Sequence, residues 1–308
     1  MIHVLFIAED TSAMLHKNFY YLEQELAKSV NLTVWRKPGH IDYILKQITK
    51  RPDFILLLHD VDRKMAPTIK GLSTTNIPTG LFVNDVHRLT NLRRNFITKN
   101  KIDYLFTIVR DKFTETYPEF KNKMEWFPHF VNTEICKDYG LEKEINLLMM
   151  GAVNDNFYPL RRDIVEAYKG NEEFVYHDHP GYRHFNKQDE RQHLIGDSYA
   201  REINRAKIFL TTPSILNYPV IKYFEVLACR TLLLAPTFKE LEDLGFIPWV
   251  HFVPIDETNF EEQAAYYLAN ETERETIADQ GYDFIRQKHS LTVRTKQLVD
   301  RLEEILCK

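Results

Sequence analysis

Short, unbroken apolar runs alternate with amphipathic ones along nearly the whole chain, and this restricts the fold more than any other feature. Val4–Ala8, Leu32–Trp35, Phe54–Leu58, Gly80–Val83 and Tyr104–Ile108 read as strands, while His16–Ser29, Ile41–Thr49 and Asn91–Lys99 carry apolar residues at helical spacing. Strands that are apolar on both faces belong inside a sheet, and alternation with helices implies a parallel sheet covered on each side. The pattern restarts after the charged stretch 132–145. Asn146–Met150, Glu173–Tyr176, Ile208–Thr211, Thr231–Ala235 and Val250–Ile255 are the next strands, and Leu160–Tyr168 and Tyr199–Ala206 lie among them as helices. Phe260–Leu268, Glu271–Lys288 and Leu291–Cys307 make the C-terminal part wholly helical. At 308 residues the chain exceeds what one core usually supports. The expected fold class is therefore α/β, with two Rossmann-like doubly wound domains facing a cleft, over 1–135 and 146–285, followed by a helical segment 286–308. In such sheets ligands sit beyond the carboxyl ends of the strands.

Composition narrows the functional classes. A formal charge of −4 argues against a dominant nucleic-acid surface. The cysteines, Cys136, Cys229 and Cys307, are odd in number and lack CxxC spacing, which disfavours zinc and a disulfide framework and fits a reducing compartment. The apolar start Met1–Ala8 is too short for a signal peptide and has no basic leader. No run of about 18 apolar residues is present, so no transmembrane segment is expected. A cytoplasmic location follows as the expectation.

The richest segment is Tyr218-Pro-Val-Ile-Lys-Tyr-Phe-Glu225-Val-Leu-Ala-Cys-Arg-Thr-Leu-Leu-Leu-Ala-Pro236. Pro219 suits the first turn of a helix, and Val220, Phe224, Leu227 and Ala228 give that helix one buried face. Lys222 and Glu225 share another face. Two readings stand. The pair can hold a nucleotide, with the ammonium on a diphosphate and the carboxylate on ribose hydroxyls, or it is a weak surface ion pair.

Three stretches then carry a resemblance: Met150-Gly-Ala-Val-Asn-Asp-Asn-Phe-Tyr-Pro-Leu-Arg161, Tyr199-Ala-Arg-Glu-Ile-Asn-Arg-Ala-Lys-Ile208 and Lys222-Tyr-Phe-Glu-Val-Leu-Ala-Cys229. With the tail from Tyr266 to Arg294, they resemble the C-terminal domain of GT-B glycosyltransferases, nearest to the group called CgeB-like or glycosyl transferases group 1. The resemblance spans roughly residues 146–296; the first half is similar in architecture only. It implies transfer of a sugar from a nucleotide-sugar donor, a UDP-sugar being commonest, by a retaining, metal-independent hexosyltransferase-type enzyme that requires no cofactor. It also implies a donor domain at 146–285, an acceptor domain at 1–135 and a C-terminal helix, 286–308, returning to the N-terminal domain. The family's ribose-binding Glu falls at Glu225. Its second Glu, eight residues earlier, is Asn217 here, which puts the usual sugar contact and the donor's identity in doubt. The acceptor is unspecified: polysaccharide, protein, small metabolite or modified nucleic acid. A GT-B epimerase or hydrolase, and a non-catalytic nucleotide-sugar-binding protein, are the alternatives.

Individual residues complete the candidate site. Gly151 ends a strand where a ligand needs close backbone approach, or is an ordinary turn glycine. Arg161 and Arg162 follow Pro159 at a helix start, where the helix dipole disfavours cations unless an anion lies there too; Arg161 is the diphosphate candidate. Thr211-Thr-Pro-Ser214 supplies hydroxyls for the donor, with an N-cap role open for Ser214. Asn217 and Tyr218 complete the donor set, and Lys207 is a further phosphate candidate. His177-Asp-His179 is a metal pair, a loop on the donor base, or a polar turn. His59-Asp-Val-Asp62 contains a DxD spelling, read as a cleft loop rather than a cation site. Asn84-Asp-Val-His87 presents Asp85 and His87 as catalytic candidates able to deprotonate an acceptor, against a capping Asp and a surface His. Glu9-Asp10 is a second acidic candidate, and Trp126-Phe-Pro-His129 leads into the linker.

Overall fold

The computed structural model describes residues 1–58 and 65–307 and divides into two compact units. Unit 1 comprises Met1–Ser12, His16–Pro128 and Thr292–Lys308; unit 2 comprises Ala13–Leu15 and His129–Leu291. The His59–Asp62 motif lies outside the described residues.

Unit 1 is built on a six-stranded parallel sheet. Its strands are β1 (His3–Ile7), β2 (Asn31–Trp35), β3 (Phe54–Leu57), β4 (Thr79–Val83), β5 (Tyr104–Thr107) and β6 (Met124–Trp126), in the order β2-β1-β3-β4-β5-β6. Every residue of β1, β3 and β4 is buried, which is why these strands read as unbroken apolar runs. Helices α1 (Asn18–Ser29), α2 (Ile41–Gln47), α3 (Thr90–Asn100) and α4 (Asp111–Thr116) connect them. Gly80 in β4 lets the Phe54 and Phe106 rings close over the strand, since a Cβ there would come within 2.8 Å of both.

Unit 2 repeats the scheme with β7 (Ile145–Met150), β8 (Phe174–His177), β9 (Ala206–Leu210), β10 (Leu232–Ala235) and β11 (Val253–Pro254), all parallel, in the order β8-β7-β9-β10-β11. Its helices are α5 (Pro159–Ala167), α6 (Lys187–Gln192), α7 (Asp197–Asn204), α8 (Lys222–Ala228), α9 (Lys239–Asp243), α10 (Phe260–Ala269) and α11 (Glu271–Lys288); α12 (Leu291–Leu306) then carries the chain into unit 1. The α/β class and the doubly wound parallel sheets expected from the sequence are present. No helix among the described residues is long and apolar enough to cross a membrane.

Several boundaries differ from expectation. The helix expected from Pro219 begins at Lys222, because the chain first turns through Val220 and Ile221, which accept the N–H groups of Tyr223 and Phe224. The last strand shrinks to Val253–Pro254, since a turn occupies Trp249–His251. Residues 132–145, charged enough to be expected as a linker, pack into unit 2: Cys136 is buried in its core, and Asn204 accepts the Tyr139 N–H at 2.7 Å.

Candidate functional site

In both sheets the first strand lies between the second and third, so the chain crosses from one side of it to the other. In unit 2 this switch point falls between β7 and β9, where ligands of such sheets bind beyond the strand ends. Gly151 follows β7 and Thr211 follows β9. Both loops converge on Arg161 of α5.

Arg161 is almost fully buried, at 3% exposed. It donates to the Ala152 carbonyl at 3.2 Å and to the Thr212 carbonyl at 2.7 Å, stitching the two loops together. Its guanidinium also stacks on the Tyr158 ring, 3.8 Å from the centroid. Among the described residues its Nε has no hydrogen-bond partner. From the other side comes Lys222, the first residue of α8. Gly151 separates the two cations: a Cβ built on it would lie 3.2 Å from Lys222 Nζ and 3.6 Å from an Arg161 nitrogen. With φ at +123°, this position also suits glycine on backbone grounds.

Two cations therefore meet over a strand end, and among the described residues neither forms an ion pair. The electrostatics register this. Burial and the nearby Arg161 pull the Lys222 ammonium down to about 8, although Glu225 acts the other way. Burial likewise lowers Arg161. Such an arrangement is unfavourable when empty and is relieved by an anion.

Glu225 lies one turn along α8 from Lys222. It does not close an ion pair with that lysine; its Oε2 accepts from the Tyr199 hydroxyl at 3.0 Å. Burial raises the Glu225 carboxyl, opposed by Lys222 and by the Tyr199 hydrogen bond. Thr211, fully buried just past β9, has a hydroxyl without a partner among the described residues. Beyond it, Ser214 accepts the Leu216 N–H at 3.2 Å, so its hydroxyl shapes a turn. Asn217 is exposed in the left-handed region, at φ +56°, and Tyr218 follows it before Pro219.

The structure thus gathers Gly151, Arg161, Lys222 and Glu225 at one end of one sheet, with Ser214, Asn217 and Tyr218 in the loop leading to α8. Lys207 is not among them. It sits near the start of β9 and bonds Asn146 Oδ1 at 2.7 Å, which places it at the opposite end of the strands. His177 bonds Glu202 at 2.9 Å, and among the described residues no group of three or more His, Cys, Asp or Glu side chains is arranged to hold a metal. Asp85 and His87 belong to unit 1, in the loop after β4. Asp85 is exposed, 3.7 Å from the Arg88 guanidinium, and burial holds His87 below its usual value. Arg93, fully buried, donates to the Asp85 and Arg88 carbonyls, and Tyr117 donates to the Val86 carbonyl, so this loop is fastened from beneath.

Tyr199 and Tyr158 were not legible as site residues. Tyr199 meets Glu225 on another helix, which spacing does not encode, and Tyr158 stacks on Arg161 three residues on, without a local pattern that marks it.

Comparison with known proteins now bears on this geometry. Residues 159–300, which include Arg161, Lys222 and Glu225, match the model of a family described as Glycosyl transferase-like. The second half of the chain is glycosyl transferase-like. This is the resemblance read from its motifs, and it covers the segment that holds the gathered residues. No curated protein matches it in sequence. Among solved structures, HepE from Anabaena in complex with UDP and glucose is 9% identical with a TM-score of 0.66, over 99% of this chain and 100% of that one. Sucrose-phosphate synthase from Thermosynechococcus elongatus is 11% identical with a TM-score of 0.64, over 100% of both chains. An alpha-glucosyltransferase in complex with UDP-glucose and DNA containing an abasic site is 12% identical with a TM-score of 0.61, over 98% of each. At these identities the likeness shows the fold, which is the GT-B fold.

Proposed function

We propose that the chain transfers a sugar from a UDP-sugar to an acceptor, with unit 2 holding the donor. The observation that carries this reading is the meeting of Arg161 and Lys222 over Gly151. A diphosphate seated there accepts from both cations while the side-chain-free glycine allows close approach. Glu225, oriented by Tyr199, accepts the ribose hydroxyls. The Ser214–Tyr218 loop serves the rest of the donor, with Asn217 beside the sugar. UDP-binding neighbours of the same fold support uridine as the base.

Leaving-group charge develops on the diphosphate as the glycosidic bond breaks. Two preorganised cations stabilise that charge without a metal ion, which supports a metal-independent transfer, and the family resemblance implies that it is retaining. Unit 1 serves the acceptor, with Asp85 or His87 as the candidate base; a His held below its usual value is neutral at pH 7 and able to take a proton.

Calorimetric titration with UDP, in EDTA and again with manganese, tests the donor site. We expect binding in both conditions, lost or weakened at least tenfold in Lys222→Ala and Glu225→Ala. A requirement for manganese, or unchanged affinity in both variants, overturns the assignment. Incubation with UDP-sugars with and without candidate acceptors then separates transfer from epimerisation, hydrolysis or binding alone.

A further inference from the structure

The loop after β8 carries a side chain that the donor site above does not use. His179 is half-buried, and Lys222, Asp178 and Arg161 are the charges that act on it. Its loop is tied to the strand end that bears Gly151. The Tyr176 hydroxyl lies 2.9 Å from the Gly151 carbonyl and 3.1 Å from Asp178 Oδ1, and that same oxygen accepts the His179 N–H at 2.6 Å. On the ring itself, Nδ1 accepts the Gly181 N–H at 2.9 Å. A backbone N–H can only donate, so Nδ1 keeps its lone pair and Nε2 carries the proton of the neutral ring. Protonating Nδ1 would set two donors against each other. Burial and the two cations act in the same direction and hold the imidazole below its usual value, with Asp178 opposing them. The exposed Tyr182 ring lies against the imidazole, with centroids 4.7 Å apart, and fixes its plane. The neighbouring His177 is engaged by Glu202 and does not share this role.

Resting on the donor site proposed above, we infer that His179 is a further donor-binding residue: a neutral Nε2–H that donates to a phosphoryl oxygen of the nucleoside diphosphate, its tautomer set by Gly181 and its ring held by Tyr182. The diphosphate of a nucleotide sugar is a dianion, matched in charge by Arg161 and Lys222. Its remaining lone pairs need a donor and not a third cation, which is what this tautomer offers.

The test compares UDP with uridine, by calorimetry for the first and by NMR shifts at millimolar ligand for the second. His179→Ala should weaken UDP by about tenfold to a hundredfold and leave uridine unchanged. His179→Gln, which keeps an N–H, should recover affinity to within about threefold of wild type. Long-range proton–nitrogen spectra of the wild type at pH 7 should show His179 as the Nε2–H tautomer, free and with UDP bound. Unchanged UDP affinity in His179→Ala, an equal loss for uridine, or an imidazolium or Nδ1–H pattern in the wild type each overturns the inference. A wild type that binds no UDP overturns the donor site itself, which is a separate outcome.

Discussion

Lys222 sets the balance between binding and stability at the scale of the residue. Its ammonium is held down to about 8 by burial and by Arg161, so the folded protein disfavours the charge that the proposed diphosphate would require. An unfolded lysine titrates near 10.4. The folded state thus binds fewer protons between these values, and stability rises with pH across that window. Below about 8 the cost is fully present, on the order of 1–3 kcal/mol. Lys222→Met should therefore raise the melting temperature at pH 7 while abolishing UDP binding, with the gain vanishing toward pH 10.5; thermal melts across pH check this. Binding has the opposite linkage. A bound anion raises the lysine's pKa, so binding takes up a proton above about 8 and affinity should fall by up to tenfold per pH unit there. Lys222→Arg should flatten that alkaline limb. On the acid side, Tyr199→Phe removes a hydrogen bond that favours ionised Glu225, so the acid loss of affinity should move to higher pH. That Gly151, Arg161, Lys222 and Glu225 come together was readable because each sits at a strand end or in the first turns of a helix, within a familiar order of motifs. Tyr199 owes its position to a contact between distant helices, which spacing along the chain does not encode, and His179 was legible as part of a polar loop but not in its tautomer, which the Gly181 N–H sets.

Glycine and arginine positions decide how the elements carry the site. Helix α11 crosses α8 at Gly281, where a Cβ would lie 2.5 Å from the His251 carbonyl and 2.9 Å from Leu227. A backbone carbonyl cannot swing aside as a side chain can, so Gly281→Ala must displace the turn at His251 or α11, which packs on α8. We expect a loss of about 1–3 kcal/mol, measured by denaturant titration, together with weaker UDP binding because α8 bears Lys222 and Glu225. In unit 1, Arg93 of α3 plays the corresponding part for the loop of Asp85 and His87. Its guanidinium meets the Asp85 carbonyl at 3.1 Å, the Arg88 carbonyl at 2.8 Å and the Tyr117 hydroxyl at 2.8 Å. Arg93→Met leaves buried acceptors unpaired and should cost about 3–5 kcal/mol, with turnover falling and UDP affinity unchanged. The long elements were legible because strands buried on both faces give unbroken apolar runs. The three-residue edge strand β6 and the helix α6, whose sequence is Lys-Gln-Asp-Glu-Arg-Gln, were not, because neither offers an apolar stripe to read. Helix α6 is instead fixed by its capping box, in which Asn186 and Asp189 satisfy each other's backbone N–H groups.

At the scale of the whole molecule, unit 1 is assembled from segments at both ends of the chain. The residues 292–308 belong to it, although some 160 residues of unit 2 separate them from Pro128. Helix α12 buries Leu298, Leu302 and Ile305, each at most 5% exposed. It is also anchored by Arg301, whose guanidinium spans both oxygens of Glu125 at 2.6 and 2.9 Å, and by Thr292 on Glu25 at 3.1 Å. The exposed Thr292 contact contributes little, about 0–1 kcal/mol, and the part-buried, two-pronged Arg301–Glu125 pair somewhat more. Three buried aliphatic side chains contribute roughly 1.5–3 kcal/mol each, which together rivals the total stability of an ordinary domain, about 5–15 kcal/mol. Unit 1 should therefore not hold its fold once the chain is cut after Leu291. Unit 2 keeps its own sheet, both of its core clusters and all of Gly151, Arg161, Lys222 and Glu225 in that shortened chain. Hydrogen exchange should then show fast amides across β1 to β6 and protected ones across β7 to β10, and UDP should still bind while sugar transfer is lost. Slow exchange in β1 to β6 of the shortened chain would mean that α12 is an accessory to unit 1 and not part of its core.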